Sequence, residues 1–128
     1  MTDFSKSIEA KIQDDKGDAV SEVKIFCFDW TILEAKHNHK VDFLFHDSRI
    51  LDGVDTRQVA TMLRLASKEC HQNGFQYIIS ANHNNLESLK MEMTEDEFDD
   101  IILSNQILEL NDLSNEGKLL GIQVDLDY

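Results

Sequence analysis

The chain contains no proline, and its five glycines stand at positions 17, 53, 74, 117 and 121. Collagen-like, proline-rich and glycine-rich linker compositions are thereby excluded, and turns fall to those glycines and to clusters of Asn, Asp and Ser. Cysteine is equally scarce. Cys27 and Cys70 lie far apart, each in an apolar-periodic stretch and without Cys-x-x-Cys spacing. That pattern predicts two buried free thiols of a reducing compartment rather than a disulfide scaffold. Basic residues number 12 against 25 acids, a formal charge of −13. A field of that sign repels phosphates, so the chain is not expected to bind nucleic acid or anionic lipid by itself. No apolar run approaches the roughly 20 residues a membrane-spanning helix needs. The first ten residues also lack the apolar centre of a signal peptide. The expectation is a soluble, cytoplasmic protein with no membrane partner.

What is present is enough for one domain, since 128 residues can bury a single core without staples. The charge is uneven. Up to His83 there are 13 acids and 10 bases, net −3, whereas Asn84–Tyr128 carries 12 acids and only Lys90 and Lys118, net −10. Glu92, Glu95, Asp96, Glu97, Asp99 and Asp100 crowd a stretch that also holds Phe98, Ile101, Ile102 and Leu103. A solvated amphipathic helix is the plainer reading of that run. A negative docking surface for a basic partner is the sharper one.

Periodicity orders the rest. Ile8, Ala10 and Ile12 alternate with polar residues, as in a half-buried strand. Val20, Val23, Cys27, Trp30 and Leu33 recur at steps of three and four, widened by Phe26 and Phe28, and predict a helix from Ala19 to about Lys36. His37–Lys40 interrupts the pattern as a solvated connector. Val41–Phe45 then reads as a short buried strand, Asp52–Asp55 as a turn, and Val59, Leu63, Ala66 and Cys70 as the stripe of a helix ending at Asn73-Gly74. Phe75–Ser80 resumes a strand. Helical pieces follow at Asn85–Met93 and Thr94–Leu103, and Leu119–Val124 is a candidate closing strand. Strand, helix, strand, helix, strand is the signature of an α/β fold with a parallel or mixed sheet covered by helices.

In open α/β sheets ligands sit beyond the carboxyl ends of the strands. Two such ends carry chemistry. Phe43-Leu44-Phe45-His46-Asp47-Ser48 delivers an acid after an apolar strand, the layout in which a strand-end carboxylate holds Mg²⁺ in P-loop ATPases. Tyr77-Ile78-Ile79-Ser80-Ala81-Asn82-His83 ends another strand in polar groups able to face a γ-phosphate.

Together with the Gly turn and the first helix, these segments give the stretch from roughly Phe4 to Lys90 a family likeness. Val41-Asp-Phe-Leu-Phe-His-Asp-Ser, Leu51-Asp-Gly-Val-Asp-Thr-Arg-Gln and Phe75-Gln-Tyr-Ile-Ile resemble the bacterial family named domain of unknown function 2326. They also resemble the C-terminal lobe of coiled-coil ATPases of the SMC and ABC type. The likeness implies an ATPase-lobe fold over residues 4–90, followed by an acidic helical segment and terminal strand over 91–128. It implies a setting in DNA maintenance or defence. It places Gly17 and Ser21 where the signature loop and helix start would meet the γ-phosphate of an opposing subunit. Asp14-Asp15-Lys16-Gly17-Asp18 lacks the Ser-Gly-Gly run of that loop. Asp47 matches the Mg²⁺-binding acid if Ser48 stands where the catalytic Glu follows; in the other register Asp47 replaces that Glu and His46 the metal acid. Either way one carboxylate is missing, and Ser is no general base, so slow or altered hydrolysis is implied. Asp52 or Asp55 would be the acid reaching across a dimer, and Asn82 or His83 would stand near the switch histidine.

One absence frames all of this. No Gly-x-x-x-x-Gly-Lys-Ser/Thr run occurs in the sequence, so nothing in it cradles the α and β phosphates. Mg²⁺ and ATP are therefore expected only with a completing P-loop lobe and its coiled coil, in cis or in trans, with room for a homodimer. None is expected for the chain alone. The competing readings are a non-catalytic module binding a basic partner through residues 92–100, and a metal site from His37, His39, His46 and Asp47. Trp30 reads as core, Asp47 in the plain alternative as a turn or N-cap residue, and Arg49, Arg57 and Arg64 as surface ion-pair partners.

Overall fold

A computed structural model describes residues 18–121. The alternating segment Ile8–Ile12, Gly17 and the end of the candidate closing strand lie outside the described residues.

Helix α1 (Asp18–Ala35) buries Phe26, Trp30 and Leu33, with Val23 partly covered. Its stripe is rotated from the expected one. Cys27 is exposed, so the expected buried thiol at that position is corrected: Phe26, one residue back, takes the inward place. The helix has a second apolar side as well, with Ile25, Phe28 and Ile32 exposed at helical spacing. It ends without glycine. Lys36 adopts φ 51°, a left-handed conformation costing a non-glycine residue about 1–2 kcal/mol. Its side chain offsets part of that cost by donating to the Val41 carbonyl at 2.7 Å and lying 4.8 Å over the Phe75 ring.

Strand β1 (Phe43–His46) pairs in parallel with β2 (Gln76–Ile79), in the register Phe43↔Gln76 to His46↔Ile79. Helix α2 (Thr56–Asn73) is the crossover between them. Asp55 caps its N-terminus by accepting from the Arg57 amide at 2.9 Å, and Gly74 closes it at φ 69°. Val59, Leu63 and Ala66 are buried as the stripe requires, joined by Ala60 and Met62. The fold is thus mixed α/β, but the parallel sheet has two strands among the described residues, and Leu119–Gly121 contributes none.

The strands show why β1 is not the buried strand its composition suggests. Leu44, Tyr77 and Ile79 face the cluster formed by α1 and α2, and His46 is buried beside them. The alternate residues Phe43 and Phe45 point the other way and are 49% and 59% exposed. Helices α3 (His83–Glu92) and α4 (Glu95–Ile101) pack against α2 through Leu89 and Phe98. Arg64 of α2 ties them down: its guanidinium forms a two-pronged pair with Glu97 and donates to the Glu92 carbonyl at 3.2 Å. The acidic run is therefore a solvated helix face with one acid turned to internal use. Glu92, Glu95, Asp96, Asp99 and Asp100 remain exposed.

Candidate functional site

The carboxyl ends of β1 and β2 lie side by side. The Ser80 amide donates to the His46 carbonyl at 3.2 Å, extending the ladder, and the Ser48 amide donates to the Ser80 hydroxyl at 3.1 Å. Two segments 32 positions apart in sequence thereby form one polar edge. Asp47 sits on that edge, exposed, and caps the short 3-10 turn Ser48–Leu51 by accepting from the Arg49 amide at 3.0 Å. Only one carboxylate oxygen is used for the cap. The other makes no hydrogen bond among the described residues.

His46 points the opposite way. It is 8% exposed; its Nε2 lies 2.9 Å from an Asp29 oxygen and its Nδ1 3.0 Å from the Tyr77 hydroxyl. A carboxylate can only accept, so Nε2 donates to Asp29 and, in the neutral ring, Nδ1 accepts from Tyr77. Phe26 and Tyr77 pack on the imidazole with centroids at 6.1 and 5.5 Å. Burial also pushes the Tyr77 phenol well above its ordinary range, keeping it a neutral donor. This Asp29–His46–Tyr77 chain joins α1, β1 and β2 just behind Asp47. Sequence reasoning missed Asp29 and Tyr77. Asp29 looks like a polar break in the apolar stripe; its one signal is its place three residues after Phe26 and one before Trp30, on the rim of the buried face.

In front of Asp47 lies an open cleft of about 470 Å³ whose lining includes Glu22 and Ile25 of α1, Phe45, Asp47 and Arg49. Arg49, expected as an ion-pair partner, has no acidic partner among the described residues, unlike Arg57 with Asp55 and Arg64 with Glu97. Ser21, the sequence candidate on α1, is exposed one residue before Glu22. Asp52 lines a second, smaller cleft of about 230 Å³ with Gly53 and with Asn84, Asn85 and Ser88 of α3. Asp55 lies apart, held as the cap of α2. Asn82 caps α3 in a reciprocal box with Asn85, at 2.9 and 3.1 Å, and His83 is exposed with its Nε2 4.0 Å from Glu87. The structure thus brings Asp47, Ser48 and Ser80 to one edge, and Asp52 to the start of α3, whose cap is Asn82.

The metal reading does not survive. Among the described residues no group of three or more His, Cys, Asp or Glu side chains is placed to hold an ion. His39 is committed elsewhere: its Nδ1 accepts from the Val41 amide at 3.2 Å and its Nε2 donates to the Ile32 carbonyl at 2.8 Å. It is a staple of the connector, whereas His37 is exposed. A lone Asp47 suits Mg²⁺ better than a dedicated cage, because Mg²⁺ is commonly held by one or two carboxylates plus water and substrate phosphates.

A parallel strand–helix–strand unit with an acid-bearing edge at the strand ends defines the class: an α/β domain with its candidate site at the carboxyl face. The chain belongs to the family described as an uncharacterised protein conserved in bacteria, domain of unknown function 2326, which matches residues 1–124. Neither the curated proteins nor the solved structures give a match. No described helix is long and apolar enough to cross a membrane.

Proposed function

We propose that this chain is the C-terminal lobe of an ATPase head of SMC-like or ABC type, and that it makes a nucleotide site only with a P-loop-bearing lobe. The observation carrying this reading is the shared edge formed by Asp47-Ser48 and Ser80 at the ends of parallel β1 and β2, with Ser48 bonded to Ser80 at 3.1 Å. An acid after one strand and polar groups after its parallel neighbour is what a Mg²⁺-phosphate contact needs.

The inward turn of His46 favours the register in which Asp47, not His46, holds the metal and Ser48 stands in the general-base position. With both ring nitrogens engaged, His46 serves as a spacer that fixes where Asp47 emerges. Bound Mg²⁺ would neutralise phosphate charge at Asp47. Asn82 or His83 would lie on the phosphate side, and Asp52 or Asp55, both exposed, would reach a second subunit. A hydroxyl at Ser48 cannot take a proton from water as a carboxylate does, so hydrolysis would be slow.

The test is nucleotide hydrolysis by the chain combined with a P-loop-bearing lobe. Activity above that of either part, lost on Asp47→Asn, supports the reading. Asn still caps the 3-10 turn but removes the charge, so loss would not be a folding effect. Equal hydrolysis with Asp47→Asn, or none with wild type, would defeat it.

A further inference from the structure

The junction between α2 and β2 holds the one Asn-Gly pair in the sequence, Asn73-Gly74. Such a pair is chemically labile, because glycine puts no side chain in the way when its backbone nitrogen reaches for the Asn side-chain carbonyl. Two hydrogen bonds hold the reacting groups apart here. The Gly74 amide donates to the Cys70 carbonyl at 2.9 Å, which turns its nitrogen back along the helix. Asn73 Nδ2 donates to Glu69 Oε2 at 2.8 Å, which draws the side chain toward the preceding turn. Both bonds belong to the last turn of α2, and helix ends open locally far more often than the whole domain unfolds.

We infer that Asn73-Gly74 is a spontaneous modification site latched by the C-cap of α2, at which Asn73 becomes aspartate or isoaspartate when the last helical turn opens. The Gly74 nitrogen bonds to Asn73 Cγ, the Cγ–Nδ2 bond breaks, and Nδ2 departs as ammonia with the proton of the Gly74 amide. Solvent water then opens the five-membered succinimide and returns a proton to its nitrogen. Opening at Cγ leaves aspartate; opening at the backbone carbonyl leaves isoaspartate, with the chain running through Cβ and Cγ. Either product replaces the amide that donates to Glu69 with a like charge, at the carboxyl end of a helix where the dipole disfavours it. Isoaspartate also adds a backbone carbon just ahead of Phe75 and Gln76. Phe75 lies under the Lys36 ammonium, and the Gln76 amide donates to the Asp42 carbonyl at 3.0 Å and sets the register opposite Phe43. Modification therefore loosens the entry of β2 into the sheet.

The test warms the full chain in neutral buffer, native and in urea, and follows Asn73 by peptide mass and by enzymatic labelling of isoaspartate. Conversion should appear at Asn73 ahead of the other Asn residues. It should run about thirtyfold slower in the native protein than in urea, the protection that two ordinary hydrogen bonds give. Glu69→Ala removes one of the two bonds while keeping a good helix former, and should speed native conversion about fivefold. Asn73→Asp, which imitates one product, should lower the melting temperature by about 2–5 °C and speed hydrogen exchange of the Gln76 amide. Equal rates in native and unfolded chain would overturn the latch, and that comparison needs no variant. An unchanged rate in Glu69→Ala, or conversion of another Asn before Asn73, overturns it too. So does a native Asn73 that stays intact while the unfolded chain converts more than about a hundredfold faster, since the site would then be closed in the folded protein. Unchanged melting and exchange in Asn73→Asp would overturn the loosening of β2.

Discussion

Tyr77→Phe removes one oxygen and isolates one hydrogen bond. The ring keeps its contacts with Trp30 and Phe26, at 5.6 and 6.2 Å between centroids, so packing is nearly unchanged. What is lost is the partner of His46 Nδ1, 3.0 Å away, inside an imidazole only 8% exposed. A buried acceptor left without a donor costs about 1–3 kcal/mol. For a domain of this size each kcal/mol moves the melting temperature by about 4 °C, so calorimetry should show a fall of roughly 4–12 °C. Asp29→Asn is the companion variant. It keeps an acceptor for Nε2 at a position 36% exposed, and should cost less than half as much. Nitrogen-15 spectra of the His46 ring should show the proton on Nε2 in wild type. A Tyr77→Phe melting temperature equal to wild type within error, or an Asp29→Asn loss larger than that of Tyr77→Phe, would refute the idea that this chain of bonds fixes the end of β1.

Three further outcomes follow from the same contacts. Burial raises the Tyr77 phenol, so the folded state holds that proton more tightly than the unfolded chain; the contribution is complete below the ordinary value of 10.0 and fades as pH rises beyond it. Unfolding midpoints should fall above that pH in wild type and less so in Tyr77→Phe. Glu97 shows the opposite sign: the Arg64 guanidinium holds its carboxyl below the ordinary 4.5, so its contribution is present above that value and lost as pH falls through the lowered one. Arg64→Gln should flatten this acid-side loss, read as the midpoint against pH. A thiol reagent should label exposed Cys27 rapidly in the native protein, and Cys70, half-buried and pushed up by burial, only slowly. Equal rates would contradict the placement of Cys27 outside the core.

How far the sequence could be read depends on which face of each element finds cover. α2 was legible because its single stripe, Val59, Leu63 and Ala66, meets a partner within the chain. The order β1, α2, β2 was legible from turn residues, Asp55 capping one end of the crossover and Gly74 the other. The inward side of α1 was not, because Phe26, Cys27 and Phe28 are all apolar and periodicity alone does not choose among adjacent apolar residues. β1 read as buried because composition reports what a strand wants covered, whereas the described residues leave Phe43 and Phe45 exposed. At the site, Asp47 was visible as an acid after an apolar strand, and its capping of Ser48–Leu51 agrees with the plainer reading of an Asp there. The His46 network was invisible: it joins residues 17 and 31 positions away across three elements, and no spacing rule reaches that far.

The proposed role of this domain is to supply half of a nucleotide site. Its most direct test is association of the chain with a P-loop-bearing lobe, followed by sedimentation with and without Mg²⁺-ATP. A nucleotide-strengthened complex is expected for wild type, and loss of that strengthening, with basal docking retained, for Asp47→Asn. Association indifferent to nucleotide, or strengthened equally in wild type and Asp47→Asn, would contradict it.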